Sequence, residues 1–173
     1  MKNRYIFGLF IFVVIWFSVA CQLSKSPVQY REENRLRNAV RIHPVHELGY
    51  VRLAQYLESH GRYKETFSVL HVGQQRIPNA LALVRLEGGL FQGLGFYSDS
   101  QKFYSSQIYK YPDEALLYLD RAQLYWRMEK QQLALADTQK AITLQPDLFE
   151  AHYLNGVILS RESSLNEPGQ AEK

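Results

Sequence analysis

A catalytic or ligand-binding site in this chain would have to be made from one cysteine, five histidines and the acids and glycines around them. Cys21 stands alone, so neither an internal disulfide nor a cysteine-based metal cluster can form. His43 and His46 flank Pro44 without a second group of ligands, and histidines in a turn are more often solvated than metal-bound. Gly88, Gly89, Gly93 and Gly95 lack both the Gly-Lys-Ser/Thr ending of a phosphate loop and the spacing of a dinucleotide fingerprint. Glu32-Glu33 and Asp113-Glu114 are adjacent acids, not opposed carboxylates, and read as solvated charges or charges at helix N-termini. Neither His-Glu-x-x-His nor Gly-x-Ser-x-Gly occurs. The residues therefore predict no catalytic group, no cofactor, no metal and no nucleotide, which leaves the surface to carry function.

Charge narrows the partners further. The formal charge is +3, and Lys2 with Arg4 lies in an N-terminal leader, so the remainder carries 3 − 2 = +1. That gives no general attraction to nucleic acid. The leader itself has a basic start and an apolar run from Tyr5 to Ala20 broken only by Gly8 and Ser18. Sixteen residues is short for a membrane-spanning helix, which needs about 20, and fits the core of a secretory signal.

The run ends on Ser18-Val19-Ala20-Cys21, which resembles the lipobox of bacterial lipoproteins. Ser18 stands where that family usually has Leu. The resemblance implies cleavage before Cys21, lipid attachment to its thiol and a firm membrane anchor, since each buried CH₂ contributes about 0.8 kcal/mol. Gln22 stands where Asp would imply inner-membrane retention, so the implied location is the periplasmic face of the outer membrane. An uncleaved spanning anchor is the competing reading of the leader. The boundaries expected are a signal peptide over 1–20, lipidated Cys21 with a flexible tether over 21–28, a folded array over 29–162 and a polar tail over 163–173.

What must position any surface site is a helical repeat. Pro44, Pro78, Pro112 and Pro146 lie 34 residues apart, a period that belongs to stacked-repeat architectures. With each proline at position 32, full units cover 47–80, 81–114 and 115–148. Tyr118, Ala122, Tyr125, Ala134, Ala141 and Pro146 fall at positions 4, 8, 11, 20, 27 and 32 of the third. Their spacing places them on one face of each of two helices, where small residues permit close crossing and proline ends the second helix. The first unit repeats this with Tyr50, Ala54, Leu57, Thr66, Gly73 and Pro78, and turns at Gly61. The second has Ser100 and Gln107 where small apolar residues are usual, and three glycines in its first helix, so its amides should exchange faster than those of the third. Leu36, Ala39, Val40 and Pro44 mark a half-unit upstream. Phe149, Gly156 and Leu159 mark another downstream, with Asp147 and Glu150 forming a capping box.

These positions resemble the tetratricopeptide repeat (TPR). The resemblance implies an all-α, TPR-type helix-turn-helix solenoid of three full repeats with flanking half-repeats, and a concave groove lined by first-helix positions 2, 5, 9, 12 and 13. Here those include Val51, Gln55, Glu58, Arg85, Gln92, Leu119, Gln123, Trp126, Arg127, Tyr153 and Arg161. Trp126 and Arg127 are the first anchors expected, since Trp and Arg dominate desolvated contacts; the alternative for Trp126 is packing against its neighbours or a place on the membrane-facing side. Val51 and Gln55 do not reproduce the lysine and asparagine with which chaperone-type repeats grip a C-terminal carboxylate. The combined resemblances imply a non-catalytic interaction scaffold, anchored by lipid in the bacterial envelope, that takes an envelope protein or peptide in its groove. Pilus, secretin or other envelope-complex assembly is the implied setting, and an adaptor or regulatory subunit of a cell-wall enzyme is the alternative.

Overall fold

The computed structural model describes residues 26–166, so Cys21, the leader, most of the tether and residues 167–173 lie outside the described part. The described residues form eight helices and no strand: α1 Pro27–Ile42, α2 Glu47–Ser59, α3 Tyr63–Arg76, α4 Leu81–Gly93, α5 Tyr97–Lys110, α6 Ala115–Arg127, α7 Gln131–Leu144 and α8 Phe149–Asn166. First helices start at 47, 81, 115 and 149, and second helices end at 42, 76, 110 and 144. Both series keep the 34-residue period of the prolines. The pairs α2/α3, α4/α5 and α6/α7 are the three complete repeats, with α1 and α8 as the flanking halves. None of these helices is long and apolar enough to cross a membrane.

Two boundaries and one cap differ from the sequence-based expectation. Pro27 and Val28, expected in the tether, already belong to α1. Ser26 accepts the Gln29 amide at 3.2 Å while Gln29 Oε1 accepts the Ser26 amide at 3.0 Å, and Pro27 fills the first helical position, where a missing N–H leaves nothing unpaired. At the other end α8 continues through Asn166, past the expected limit of Glu162. It also begins at Phe149, so Asp147 stands one residue too early to cap it.

Turns within repeats share one geometry. At the end of α2 the Gly61 amide donates to Glu58 O and the Arg62 amide to Leu57 O, the reciprocal pair that closes a helix on a left-handed residue. The same bonds recur one period on at Gly95 and Phe96, and two periods on at Glu129 and Lys130. The left-handed residue has φ of 68°, 79° and 59° in turn, and only the third is not glycine. Turns between repeats share a second bond: Tyr50 Oη donates to Pro44 O and Tyr118 Oη to Pro112 O, both at 3.0 Å, and His152 Nε2 lies 2.8 Å from Pro146 O. The position-4 side chain thus ties down the carbonyl of the preceding proline. Val84 occupies that position in the second repeat and cannot.

The core runs along the crossings. Leu57, Leu70, Leu83, Leu117, Leu124 and Ile158 are fully buried, and Phe67, Phe91 and Phe103 form a chain of tilted rings through α3, α4 and α5. The polar residues at position 20 are satisfied locally: Thr66 donates to Arg62 O at 3.1 Å and Ser100 to Gly88 O at 3.0 Å. Such bonds make a small buried hydroxyl tolerable where alanine is usual. Glu33 on α1 pairs with Arg37 and with Arg62 at the start of α3, fastening the N-terminal half-repeat to the array.

Candidate concave groove

The first helices α2, α4 and α6 lie side by side and enclose an open cavity of about 570 Å³. Seven of the residues predicted for the groove line it, among them Gln55 on α2, Arg85 and Gln92 on α4, and Gln123 and Arg127 on α6. Val51 and Glu58 are the other two. Positions 5, 9, 12 and 13 of successive first helices therefore converge as the helical period requires.

Trp126, Tyr153 and Arg161 do not line this cavity. Trp126 is half-buried against the cluster of Tyr125, Ala134 and Ile158, and the Arg161 guanidinium lies 5.1 Å from its ring centroid. Packing against neighbours, the alternative reading of Trp126, is what the structure shows. Tyr153 is exposed and stacks on Phe149 at 6.3 Å, beyond the α2/α4/α6 cavity on α8. Leu119 is buried in the core instead of facing the groove.

Two polar residues that the repeat positions did not flag complete the floor. Arg85 makes a bidentate pair with Asp120 on α6, Nε to Oδ2 at 2.6 Å and Nη2 to Oδ1 at 2.9 Å. Burial pushes the Asp120 carboxyl above the usual aspartate range, and the Arg85 hydrogen bond and charge act against that rise. The pair therefore locks α4 to α6 but leaves little free charge. A signal existed in the sequence: Asp120 follows Arg85 by 35 residues, one period plus one. The other residue, Tyr104, comes from the second helix α5. Its ring passes over Gly88, where a methyl group would overlap it, and its hydroxyl approaches Gln92 Nε2 at 3.5 Å and Arg85 O at 3.4 Å. Burial raises the Tyr104 hydroxyl well above its ordinary pKa, so it stays protonated and neutral.

Nothing in this arrangement resembles a catalytic centre. Its titratable groups are a bidentate ion pair, a neutral phenol and the separate charges of Glu58 and Arg127, with no nucleophile beside a base. No group of three or more potential metal ligands occurs among the described residues. The arrangement offers side-chain amides on all three helices, Gln55, Gln92 and Gln123, together with Glu58 on one wall and Arg127 on the other. Such amides both donate to and accept from a main chain.

No protein-family model and no curated protein matches the sequence. Solved structures do match by shape. MamA from Desulfovibrio magneticus RS-1 aligns at 17% identity with a TM-score of 0.57, over 79% of this chain and 77% of that one. YrrB, described as a TPR protein with an unusual peptide-binding site, aligns at 17% identity and a TM-score of 0.54, over 76% and 68%. A tetratricopeptide repeat protein from Parabacteroides merdae ATCC 43184 gives 14% identity and a TM-score of 0.60, covering 79% of this chain and 54% of that chain. At these identities the likeness speaks for the fold, and it agrees with the helix periods and turns above: the chain is an all-α solenoid of the tetratricopeptide-repeat type.

Proposed function

We propose that this chain is a non-catalytic scaffold that takes a protein or peptide segment in the groove formed by α2, α4 and α6. The observation that carries the reading is the cavity across three first helices, lined by side-chain amides and opposite charges with no reactive group among them. The lipobox-like Ser18-Val19-Ala20-Cys21 supports placing that scaffold on a bacterial membrane through lipid at Cys21, with the outer membrane favoured by Gln22. In that position it would assist pilus, secretin or other envelope-complex assembly by holding one component close to the bilayer.

Two measurements test the two halves of the proposal. In cells, Cys21→Ala is expected to abolish incorporation of labelled palmitate and to leave an unprocessed precursor; normal labelling of that variant would overturn the anchor. A photo-crosslinker at position 123 is expected to capture a defined envelope protein, and the capture should be lost with Arg127→Ala. Crosslinks that appear equally with a crosslinker on the outer face, at exposed Tyr109, would overturn the groove.

A further inference from the structure

Two pairs of helical glycines in the array differ in what surrounds them. At Gly73 and Gly88 a methyl group would overlap Leu83 or Tyr104, so close packing requires glycine there. At Gly89 and Gly93 it would meet nothing within 4 Å. Both lie in α4 with no positive φ, so neither packing nor backbone conformation calls for glycine, and both weaken a helix. What they share is the cavity, which both of them line. The lining beside them includes Val51, Leu86 and Leu90. The missing side chains thus open an apolar recess in the middle of an otherwise polar groove.

Charge sets the direction of what fits. Arg85 and Asp120 neutralise each other, and among the described residues Glu58 and Arg127 have no ion-pair partner. Glu58 stands on α2 and Arg127 on α6, with α4 between them. Two helix spacings of about 8–10 Å separate these walls by roughly 16–20 Å, and an extended chain advances about 3.3 Å per residue. The span corresponds to about five or six residues.

We infer that the groove selects an extended segment of a partner protein with a bulky apolar residue seated over Gly89 and Gly93, a basic residue at Glu58 and an acidic residue at Arg127. Gln55, Gln92 and Gln123 meet its main chain, whose amides need partners when they leave water. The inference rests on the scaffold reading and adds the chemistry of the occupant.

The test uses the full chain in detergent micelles and a fluorescein-labelled heptapeptide, Lys-Ser-Thr-Phe-Thr-Ser-Glu. Its affinity by anisotropy is expected to exceed that of the charge-swapped Glu-Ser-Thr-Phe-Thr-Ser-Lys, and of the form with Gly in place of Phe, by at least tenfold. Gly89→Leu and Gly93→Leu are each expected to weaken binding at least tenfold while leaving the melting temperature unchanged or higher. Equal affinity for the two charge orders, undiminished binding by the leucine variants, or no binding of the first peptide at millimolar concentration would each overturn the inference. Capture of an envelope protein at position 123 that persists in Gly89→Leu would overturn it while leaving the scaffold standing. Loss of all groove-specific capture in the parent would remove the scaffold as well.

Discussion

The second and third repeats solve the same packing problem with opposite distributions of volume. In the third, repeat positions 8 and 24 hold Ala122 on α6 and Thr138 on α7, and both are fully buried. In the second, the equivalent positions hold Gly88 and Tyr104, so the first helix gives up its side chain and the second sends a ring over the vacated backbone. The crossing stays filled in both, but only the second delivers an aromatic group to the concave side. The second repeat is thus the one in which packing has been rearranged around the groove. Its three helical glycines do not act alike either: Gly88 is packed by Tyr104, and only Gly89 and Gly93 weaken α4 without an internal reason.

The largest effect should come from exchanging these solutions. Tyr104→Thr alone empties a ring-sized volume and is expected to cost about 3 kcal/mol. Gly88→Ala alone forces a methyl group into the ring and is expected to cost about 2 kcal/mol. The double variant reproduces the third repeat's pair, and we expect it to be about 2 kcal/mol more stable than the sum of the singles predicts. Urea unfolding of the four proteins measures this. Additive losses would mean that the two repeats are not alternative fillings of one site.

Much of this contrast was written in the sequence, and the reasons it was legible or not are physical. Helix starts and ends followed from the prolines and small residues because those types are dictated by sterics at each crossing and each turn. Gln55, Arg85, Gln92, Gln123 and Arg127 were legible because helical periodicity alone puts their positions on one side. Trp126 kept the same register yet packs against the Ile158 cluster under Arg161, because α8 follows α6 and offers an apolar surface. Tyr104 was invisible as a groove residue, since it sits on a second helix and reaches the cavity only where Gly88 lacks a side chain. Nor was the start of α1 legible: Pro27, expected in the tether, proves to be a helix start once Ser26 and Gln29 cap each other.

The ion pairs offer a second way to separate the repeats. Arg85–Asp120 borders the groove with the arginine side chain 37% exposed, whereas Arg121–Asp137 ties α6 to α7 with its arginine 17% exposed. Removing one partner of a buried pair leaves an uncompensated charge, so Arg121→Ala is expected to cost about 3 kcal/mol. For Arg85→Ala we expect about 1–2 kcal/mol, since water in the open cavity reaches Asp120 and takes up part of the charge. The smaller loss should also depend on pH. The folded Asp120 carboxyl already lies above the ordinary aspartate value of 3.8, through burial, and losing Arg85 removes what holds it down. A carboxyl raised on folding contributes stability that is present below its unfolded pKa and lost as pH rises through the folded one. The penalty of Arg85→Ala should therefore be smaller near pH 4 than at pH 7. Equal penalties at both would show that the carboxyl is fully hydrated in the variant.

A smaller contrast lies in the turns, and here it is the third repeat that carries the strain. Gly61 and Gly95 adopt left-handed conformations freely, while Glu129 holds φ at 59° with a side chain attached. Its amide still donates to Trp126 O at 3.1 Å and the next amide to Tyr125 O at 2.9 Å, so the helix end dictates the conformation in spite of the residue. For an L-residue that conformation costs about 1–2 kcal/mol, partly offset in Glu129→Gly by the greater freedom of glycine in the unfolded chain. Glu129→Gly is then expected to raise stability by about 0.5–1 kcal/mol, and Gly95→Ala to lower it by about 1 kcal/mol. Opposite signs at equivalent positions are the diagnostic result, measured by thermal unfolding of both variants. Two losses of similar size would mean that Glu129 contributes more than its backbone geometry, and the turn of the third repeat would have to be explained by its side chain instead.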